Sequence, residues 1–320
     1  MNKKGTDITY AANQLKEGGL VAIPTETVYG LAANALDEKS VLKIFEAKKR
    51  PAFDPLIIHF SQWDRVMPYV GKIPIKAHLL AEAFTPGPIT FILPKNDLIP
   101  SLVTSGHDTV GVRIPRHPMT RELLDAIDFP LAAPSANPFG YISPTTADHV
   151  LDQLGDEVDY VLDGGPCDVG IESTIIAFEN EQPMILRLGG LALEQIEDVL
   201  GEKVSAIRTS SSNPNAPGML SSHYSPRKKL IVGDIRSLLP EYSGQKVAVI
   251  QLQKEIVAHN GKLLIYELSA KGDLEEAARR IFDVMRAADQ SSASVILAEY
   301  MPDTFLGRAI NDRLRRANNA

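Results

Sequence analysis

The segment from Val21 to Pro55 constrains this chain most. An apolar run, Leu20 to Ile23, breaks at Pro24 into Thr25-Glu26-Thr27, then Tyr29-Gly30. A helical stretch follows and closes on three consecutive cations, Lys48, Lys49 and Arg50, stopped by Pro51. This is a strand–turn–helix unit with a hydroxyl-rich turn at one end and a basic cluster at the other. Cations at a helix C-terminus oppose the macrodipole, and that alone accounts for such a cluster. The hydroxyl turn beside it adds a second reading, an anionic ligand that must be oriented.

Similar units recur along the chain. Apolar runs predict strands at 20–23, 56–60, 89–93, 110–114, 131–133, 160–162, 174–178 and 185–188. Helices are expected near 7–17, 38–49, 74–84, 118–127, 145–153 and 192–200. Thr6 or Asp7 caps the first and Gly18-Gly19 ends it, while Pro74 and Pro118 suit first-turn positions. Strands that follow one another without helices between, as from 160 to 188, predict a mixed sheet.

Residues 205–227, SAIRTSSSNPNAPGMLSSHYSPR, lack apolar periodicity and read as a linker. Beyond it lie buried-strand runs at 230–232, 247–251, 263–266 and 295–298. Leu274, Ala277, Ala278, Ile281, Phe282 and Met285 share one helix face, begun by Asp273 with Glu276 as a capping box. The expected organisation is thus a first α/β domain over 1–204, a linker over 205–227 and a smaller open α/β domain over 228–320.

Composition narrows the class. Hydrophobic residues make up 44% and charged residues 23%, enough for a sizeable globular core. The start is an amphipathic helix with no apolar h-region, and no run reaches the ~18 apolar residues of a membrane span. The single cysteine, Cys167, excludes an internal disulfide and a CxxC site. The cytoplasm is the expected compartment, with no membrane partner. Net charge is −7 but uneven. The first 227 residues hold 19 Lys+Arg against 28 Asp+Glu, and the remainder 14 against 12. Such an acidic body argues against broad nucleic-acid binding, so a cationic site in the first part must be local.

No P-loop and no GxGxxG is present, so any ATP use needs another cradle. Period-2 alternation places Thr109, Gly111 and Arg113 on one strand face, where Arg113 is either a carboxylate or phosphate clamp or a solvated arginine. Pro134-Ser135-Ala136-Asn137 is a turn after a strand of small residues; Ser143 and Thr145 precede a helix, Thr145 reading as its N-cap. Gly170-Ile171-Glu172-Ser173-Thr174 is a glycine–hydroxyl turn, and Arg187 ends a strand. His59 closes its strand, where a lone histidine is usually structural. No Ser/His/Asp triad, carboxylate pair or metal-ligand spacing stands out. Hydroxyls and arginines at many strand ends favour electrostatic catalysis on phosphates.

Six segments together resemble the YrdC-like family of threonylcarbamoyl-AMP synthases. They are PTETVYGLAANA (24–35), KKRPAFDPLIIHF (48–60), TVGVRIP (109–115), APSANPFGYISPT (133–145), GIESTI (170–175) and ILRLGG (185–190). PGMLSSHYSP (217–226) and the tail look like the two-domain Sua-type branch. The resemblance covers essentially the whole chain. It implies a YrdC-like domain with a twisted mixed sheet, plus a Rossmann-like C-terminal domain. It also implies condensation of L-threonine, bicarbonate and ATP, with Mg²⁺, to threonylcarbamoyl-adenylate and pyrophosphate. The product would pass to the tRNA threonylcarbamoyl transferase machinery; direct tRNA contact is left open. Threonine contacts would fall on Thr27, His59, Arg113, Ser173 and the backbone of Ala133. ATP contacts would fall on Lys48, Arg50, Thr109, Ser135, Asn137, Ser143 and Arg187, with His223 or Tyr224 from the linker. Lys48, Arg50 and Arg113 would carry catalysis.

Two positions depart from the family pattern. Asp54 stands where asparagine is usual and adds a negative charge beside the ATP site unless it engages Mg²⁺. Ser225 stands where alanine is usual. An RNA-binding module of the same fold would need a broad basic face, which the charge balance opposes. A hydrogenase-maturation module of this fold would need cysteine-rich zinc motifs, which one cysteine excludes. A purely structural α/β protein leaves the hydroxyl- and arginine-rich strand ends unexplained.

Overall fold

The computed structural model describes residues 3–206, 223–254 and 261–318. Most of the linker lies outside the described residues. In chain order the first part runs β1 (Lys4–Gly5), α1 (Ile8–Lys16), β2 (Val21–Ile23), β3 (Gly30–Asn34), α2 (Glu38–Lys48), β4 (Ile57–His59), α3 (Ile75–Phe84), β5 (Ile89–Pro94), α4 (Ser101–Thr104) and β6 (Thr109–Arg113). It continues through α5 (Pro118–Asp125), β7 (Leu131–Ala132), α6 (Ala147–Leu154), β8 (Tyr160–Leu162), β9 (Thr174–Glu179), β10 (Gln182–Arg187), α7 (Leu193–Leu200) and β11 (Ser205–Ala206). These strands form one sheet in the order β1-β8-β2-β3-β7-β4-β6-β5-β9-β10-β11. Pairing is mixed: β4 runs parallel to β6, while β3 runs antiparallel to both β2 and β7.

The sequence expectations hold for the strongly apolar runs, and β3 is the principal addition. Its sequence, GLAAN, is small and weakly strand-forming, so local propensity hides it. It forms because two neighbouring strands hold its backbone on both sides. Caps also differ in detail. Thr146, not Thr145, caps α6 by accepting from the His149 N–H. Pro118 opens α5 as expected, whereas Pro74 is the cap before α3.

The second part contains β12 (Leu230–Val232), α8 (Ile235–Leu238), β13 (Lys246–Gln251), β14 (Lys262–Glu267), α9 (Leu274–Gln290), β15 (Val295–Ala298) and α10 (Phe305–Asn318). Its four strands are all parallel, in the order β12-β15-β13-β14. Asp273 caps α9 by accepting from Glu275 and Glu276 N–H groups. Glu276 does not complete the capping box; its carboxylate accepts from Ser269 Oγ instead. The helix α10 was not expected from the sequence; its charged face obscures the period of Leu306, Ile310 and Leu314, all buried.

The two parts share a continuous core. Val28, Ile142 and Ile171 from the first pack in the same cluster as Ile281, Phe282 and Met285 of α9. Polar ties reinforce the contact. Tyr141 Oη donates to Asp289 at 2.7 Å, and Arg308 pairs with Glu194 at 2.9 Å. Gly170 shows how close the approach is. Its φ is +80°, and a Cβ there would lie 2.4 Å from the Arg279 Cα and carbonyl oxygen. Replacing Gly170 by alanine adds left-handed strain of about 1–2 kcal/mol and pushes the backbone of α9 away. We expect Gly170→Ala to lower the thermal midpoint by several degrees and to raise proteolysis at the junction. A midpoint equal to wild type would show that the two parts are not pressed together here.

Candidate active site

The hydroxyl turn after β2 is internally wired. Thr25 Oγ1 accepts from the Thr27 and Val28 N–H groups and donates to the Val28 carbonyl at 2.6 Å. Such side chain to backbone bonds make the turn rigid. Arg113, at the end of β6, reaches across to it. Its Nη2 donates to Glu26 Oε1 at 2.7 Å and to Thr27 Oγ1 at 2.8 Å, while Nε is buried without a hydrogen-bond partner. Glu26 is itself fixed, because its Oε2 accepts from the Arg116 N–H at 2.9 Å. Arg113 is 5% exposed, so the solvated-arginine reading is excluded.

The basic cluster splits by orientation. Lys49 takes the left-handed cap position with φ +53° and is exposed, while Lys48 and Arg50 turn inward and are buried. Lys48 Nζ donates to the carbonyls of Ser135 and Asn137, clamping the turn after β7. Burial, then the charge of Arg50, holds the Lys48 amine well below its ordinary range. Arg50 donates to the Asp54 and Pro55 carbonyls, and its Nη2 lies 2.9 Å from Asp54 Oδ2. Asp54 Oδ1 is buried with no hydrogen-bond partner. Burial raises the Asp54 carboxyl pKa against the opposing pull of Arg50.

On the far side, Arg187 donates to the Ser173 carbonyl at 2.9 Å and to Ser173 Oγ at 3.2 Å. Ser173 Oγ also lies 2.7 Å from Thr90 Oγ1. Ser143 Oγ donates to Glu172 Oε1 at 2.6 Å, and Arg313 of α10 donates to Glu172 Oε2 at 3.0 Å. The second part of the chain therefore supplies a cation to the wall of this site.

These elements enclose a cavity of about 50 Å³. Arg50, His59, Arg113, Ala133, Ser135, Ser173, Arg187, His223 and Tyr224 all line it. Thr27, Lys48, Asp54, Asn137 and Ser143 do not; each instead bonds or pairs with a neighbouring residue or turn of the wall. Thr109 stands apart. It begins β6, opposite Pro94, four residues from Arg113 and outside the lining. Sequence reasoning assigned no role to Glu26, Glu172 or Arg313. The two glutamates sit inside the quoted motifs, but Arg313 had no local signal.

His223 and Tyr224 form the roof. Their rings meet at 4.2 Å, Phe139 lies edge-on to His223 at 5.9 Å, and Tyr224 stacks on Phe282 at 5.5 Å. A drug-sized ligand takes about 300 Å³ or more, so the cavity is too small for a nucleotide in this closed arrangement. Among the described residues no group of three potential ligands could cage a metal. Asp54 Oδ1 is one free oxygen, which fits Mg²⁺ carried in on substrate phosphates rather than a resident ion.

Comparison with known proteins decides the family. The profile of the Sua5/YciO/YrdC family, described as "Telomere recombination", matches residues 13–189. A second, described as "Threonylcarbamoyl-AMP synthase, C-terminal domain", matches residues 191–319. A threonylcarbamoyl-AMP synthase of Pyrococcus abyssi is 41% identical over 97% of this chain and 94% of its own length. The chain belongs to the threonylcarbamoyl-AMP synthase family. The Bacillus subtilis member is 38% identical, covering 97% of this chain and 92% of that protein. The crystal structure of Pyrococcus abyssi Sua5 complexed with L-threonine superposes with a TM-score of 0.90, covering 97% and 94% of the two chains.

The buried histidines set a pH limit on the fold. Burial, then Arg113, pushes the His59 pKa from 6.5 down to about 3. Burial, then Arg50 and Lys48, lowers that of His223. The unfolded chain therefore binds more protons below pH 6.5, so this contribution is complete above 6.5 and is lost as pH falls. Each histidine contributes a slope of up to about 1.4 kcal/mol per pH unit. We expect the urea midpoint to drop from pH 7.5 to pH 5, with a smaller drop in His59→Gln. An equal drop in both proteins would remove His59 as a cause.

Proposed function

We propose that this chain condenses L-threonine, bicarbonate and ATP into L-threonylcarbamoyladenylate and pyrophosphate, the activated donor for tRNA threonylcarbamoyladenosine. The observation that carries the reading is the closed cavity lined by Arg50, Arg113 and Arg187, in a chain related over its whole length to enzymes of that activity. Two anionic substrates held together need buried cations in fixed positions, and that is what the wall supplies.

Arg113 meets the threonine carboxylate. Its pairing with Glu26 and Thr27 fixes the guanidinium before substrate arrives, so little freedom is lost on binding. Ser173 and the Ala133 backbone complete the threonine side. Arg50 and Arg187 take the triphosphate, with Ser135 on the same wall and Lys48 holding the Ser135 turn from behind. Mg²⁺ carried on the phosphates would supply further charge neutralisation, and Asp54 Oδ1 would be the carboxylate oxygen offered to it. The carbamate formed from threonine attacks the α-phosphorus and pyrophosphate leaves. The roof of His223 and Tyr224 opens to admit the nucleotide and closes to shield the labile carbamate from water. The product then passes to a tRNA-modifying transferase, and the reaction is cytoplasmic.

Pyrophosphate release should require both threonine and bicarbonate; equal release without threonine would mark a plain ATPase. Arg50→Ala should chiefly weaken ATP and Arg113→Ala chiefly threonine. Each loses a charge-assisted contact of about 1.5–3 kcal/mol, or about ten- to a hundredfold in affinity. Calorimetry with both affinities unchanged in both variants would refute the assignment. The combined change His223→Ala and Tyr224→Ala should keep the fold but lose most synthesis; full synthesis by that variant would reduce the roof to packing.

A further inference from the structure

One carboxylate stands in the cavity wall itself. Glu26 and Asp54 answer Arg113 and Arg50 from outside the lining, whereas Glu172, which answers Arg313, is part of it. Glu172 is buried. Its Oε1 accepts from Ser143 Oγ at 2.6 Å, and Arg313 Nε and Nη2 both lie 3.0 Å from Oε2. A carboxylate has about four acceptor positions, so Oε1 keeps one in reserve. Tyr224 is close by. Burial, then the charge of Glu172, raises its phenol pKa, and its hydroxyl is buried without a hydrogen-bond partner.

The reading under "Proposed function", on which this inference rests, brings two anions into this cavity. A carboxylate in the wall repels phosphate and the threonine carboxylate alike, so it must face a donor. As a mere counter-charge for Arg313, Glu172 could lie outside the lining, as Glu26 and Asp54 do. ATP offers few donors, namely the two ribose hydroxyls and the adenine amine. The ribose joins the α-phosphorus through its 5′ oxygen, and the α-phosphorus lies where threonine and triphosphate meet. Arg187 and Ser173 mark that junction, for Arg187 Nη2 donates to the Ser173 carbonyl at 2.9 Å. Glu172 directly precedes Ser173, which puts it beside the ribose rather than at the far edge of the base.

We propose that Glu172 is a specificity-determining contact that accepts a hydrogen bond from a ribose hydroxyl of ATP, and that Arg313 of α10 is its positioning residue. Arg313 is fully buried, donates also to the Leu188 carbonyl, and lies 5.4 Å from the Tyr224 ring. Its fork holds the Glu172 carboxylate aimed into the cavity. The second part of the chain thereby sets which sugar the site accepts. An ionised acceptor strengthens a hydroxyl hydrogen bond, which is why acidic side chains hold ribose hydroxyls in dinucleotide sites.

The test uses the full chain with Mg²⁺, bicarbonate, labelled threonine and, in turn, ATP, 2′-deoxy-ATP, 3′-deoxy-ATP and inosine triphosphate. Wild type should lose about ten- to a hundredfold in kcat/KM with one of the deoxynucleotides, the range for a hydrogen bond to a charged group. Glu172→Asp keeps the charge for Arg313 but draws it back by one carbon. It and Glu172→Gln should cut that preference to about threefold. Both should bind threonine within about threefold of wild type by calorimetry. Arg313→Gln should cut the same preference, and adding it to Glu172→Gln should cut it no further. A fall in kcat/KM shared equally by all four nucleotides is what a structural role would give, and it overturns the proposal. Wild type using ATP and both deoxynucleotides alike overturns it with no variant needed. A loss of discrimination confined to inosine triphosphate moves Glu172 to the base, and weaker threonine binding with the sugar preference intact moves it to the amino acid; either overturns the ribose contact. Full preference in Arg313→Gln overturns the positioning role. A wild-type chain that makes no adenylate from ATP would instead overturn the underlying reaction.

Discussion

Arg50, Arg113, Arg187 and Arg313 are all buried around one small cavity, and a cation taken out of water costs several kcal/mol unless something answers it. Much of the surrounding structure is that answer. Asp54 answers Arg50, Glu26 answers Arg113 and Glu172 answers Arg313, at 2.9, 2.7 and 3.0 Å. Arg187 rests on the carbonyl and hydroxyl of Ser173. Each partner sits in a short turn at the end of a strand. The turns are therefore fixed by charge as much as by backbone preference.

Buried pairs of this kind are poor sources of net stability, since apolar replacements often do as well. Their value lies in position. A guanidinium already held by a carboxylate presents its remaining donors to a substrate at little cost in ordering. The same arrangement makes the site sensitive to single losses, because removing one partner leaves the other charge stranded. Asp54 is a local variation on this theme. Its carboxylate partly offsets Arg50 and leaves one oxygen without a partner.

The second part of the chain is tied into the same logic. Arg313 crosses from α10 to Glu172, and its guanidinium lies 5.4 Å from the ring of Tyr224. Tyr224 in turn stacks on Phe282 of α9. The roof of the cavity is thus held from both parts. Nothing in the helix pattern of residues 305–318 announces this, because an arginine on an amphipathic helix reads as a solvated face.

The sequence alone was enough to place most strands and helices, since apolar period and turn chemistry are local properties. It also marked Arg50, Arg113, Ser173 and Arg187 as candidates, because hydroxyls and cations at strand ends are visible in short motifs. What it could not determine was which of these share a wall. β3, built of small residues, exists only through its neighbours on both sides. Thr27 and Lys48 carry suggestive side chains, but the fold turns them to hold Arg113 and the Ser135 turn, outside the cavity lining. Arg313 lies 141 positions from Glu172, and only tertiary packing brings them together. Motif spacing records what a residue can do chemically; burial and long-range pairing decide which atoms remain available to do it.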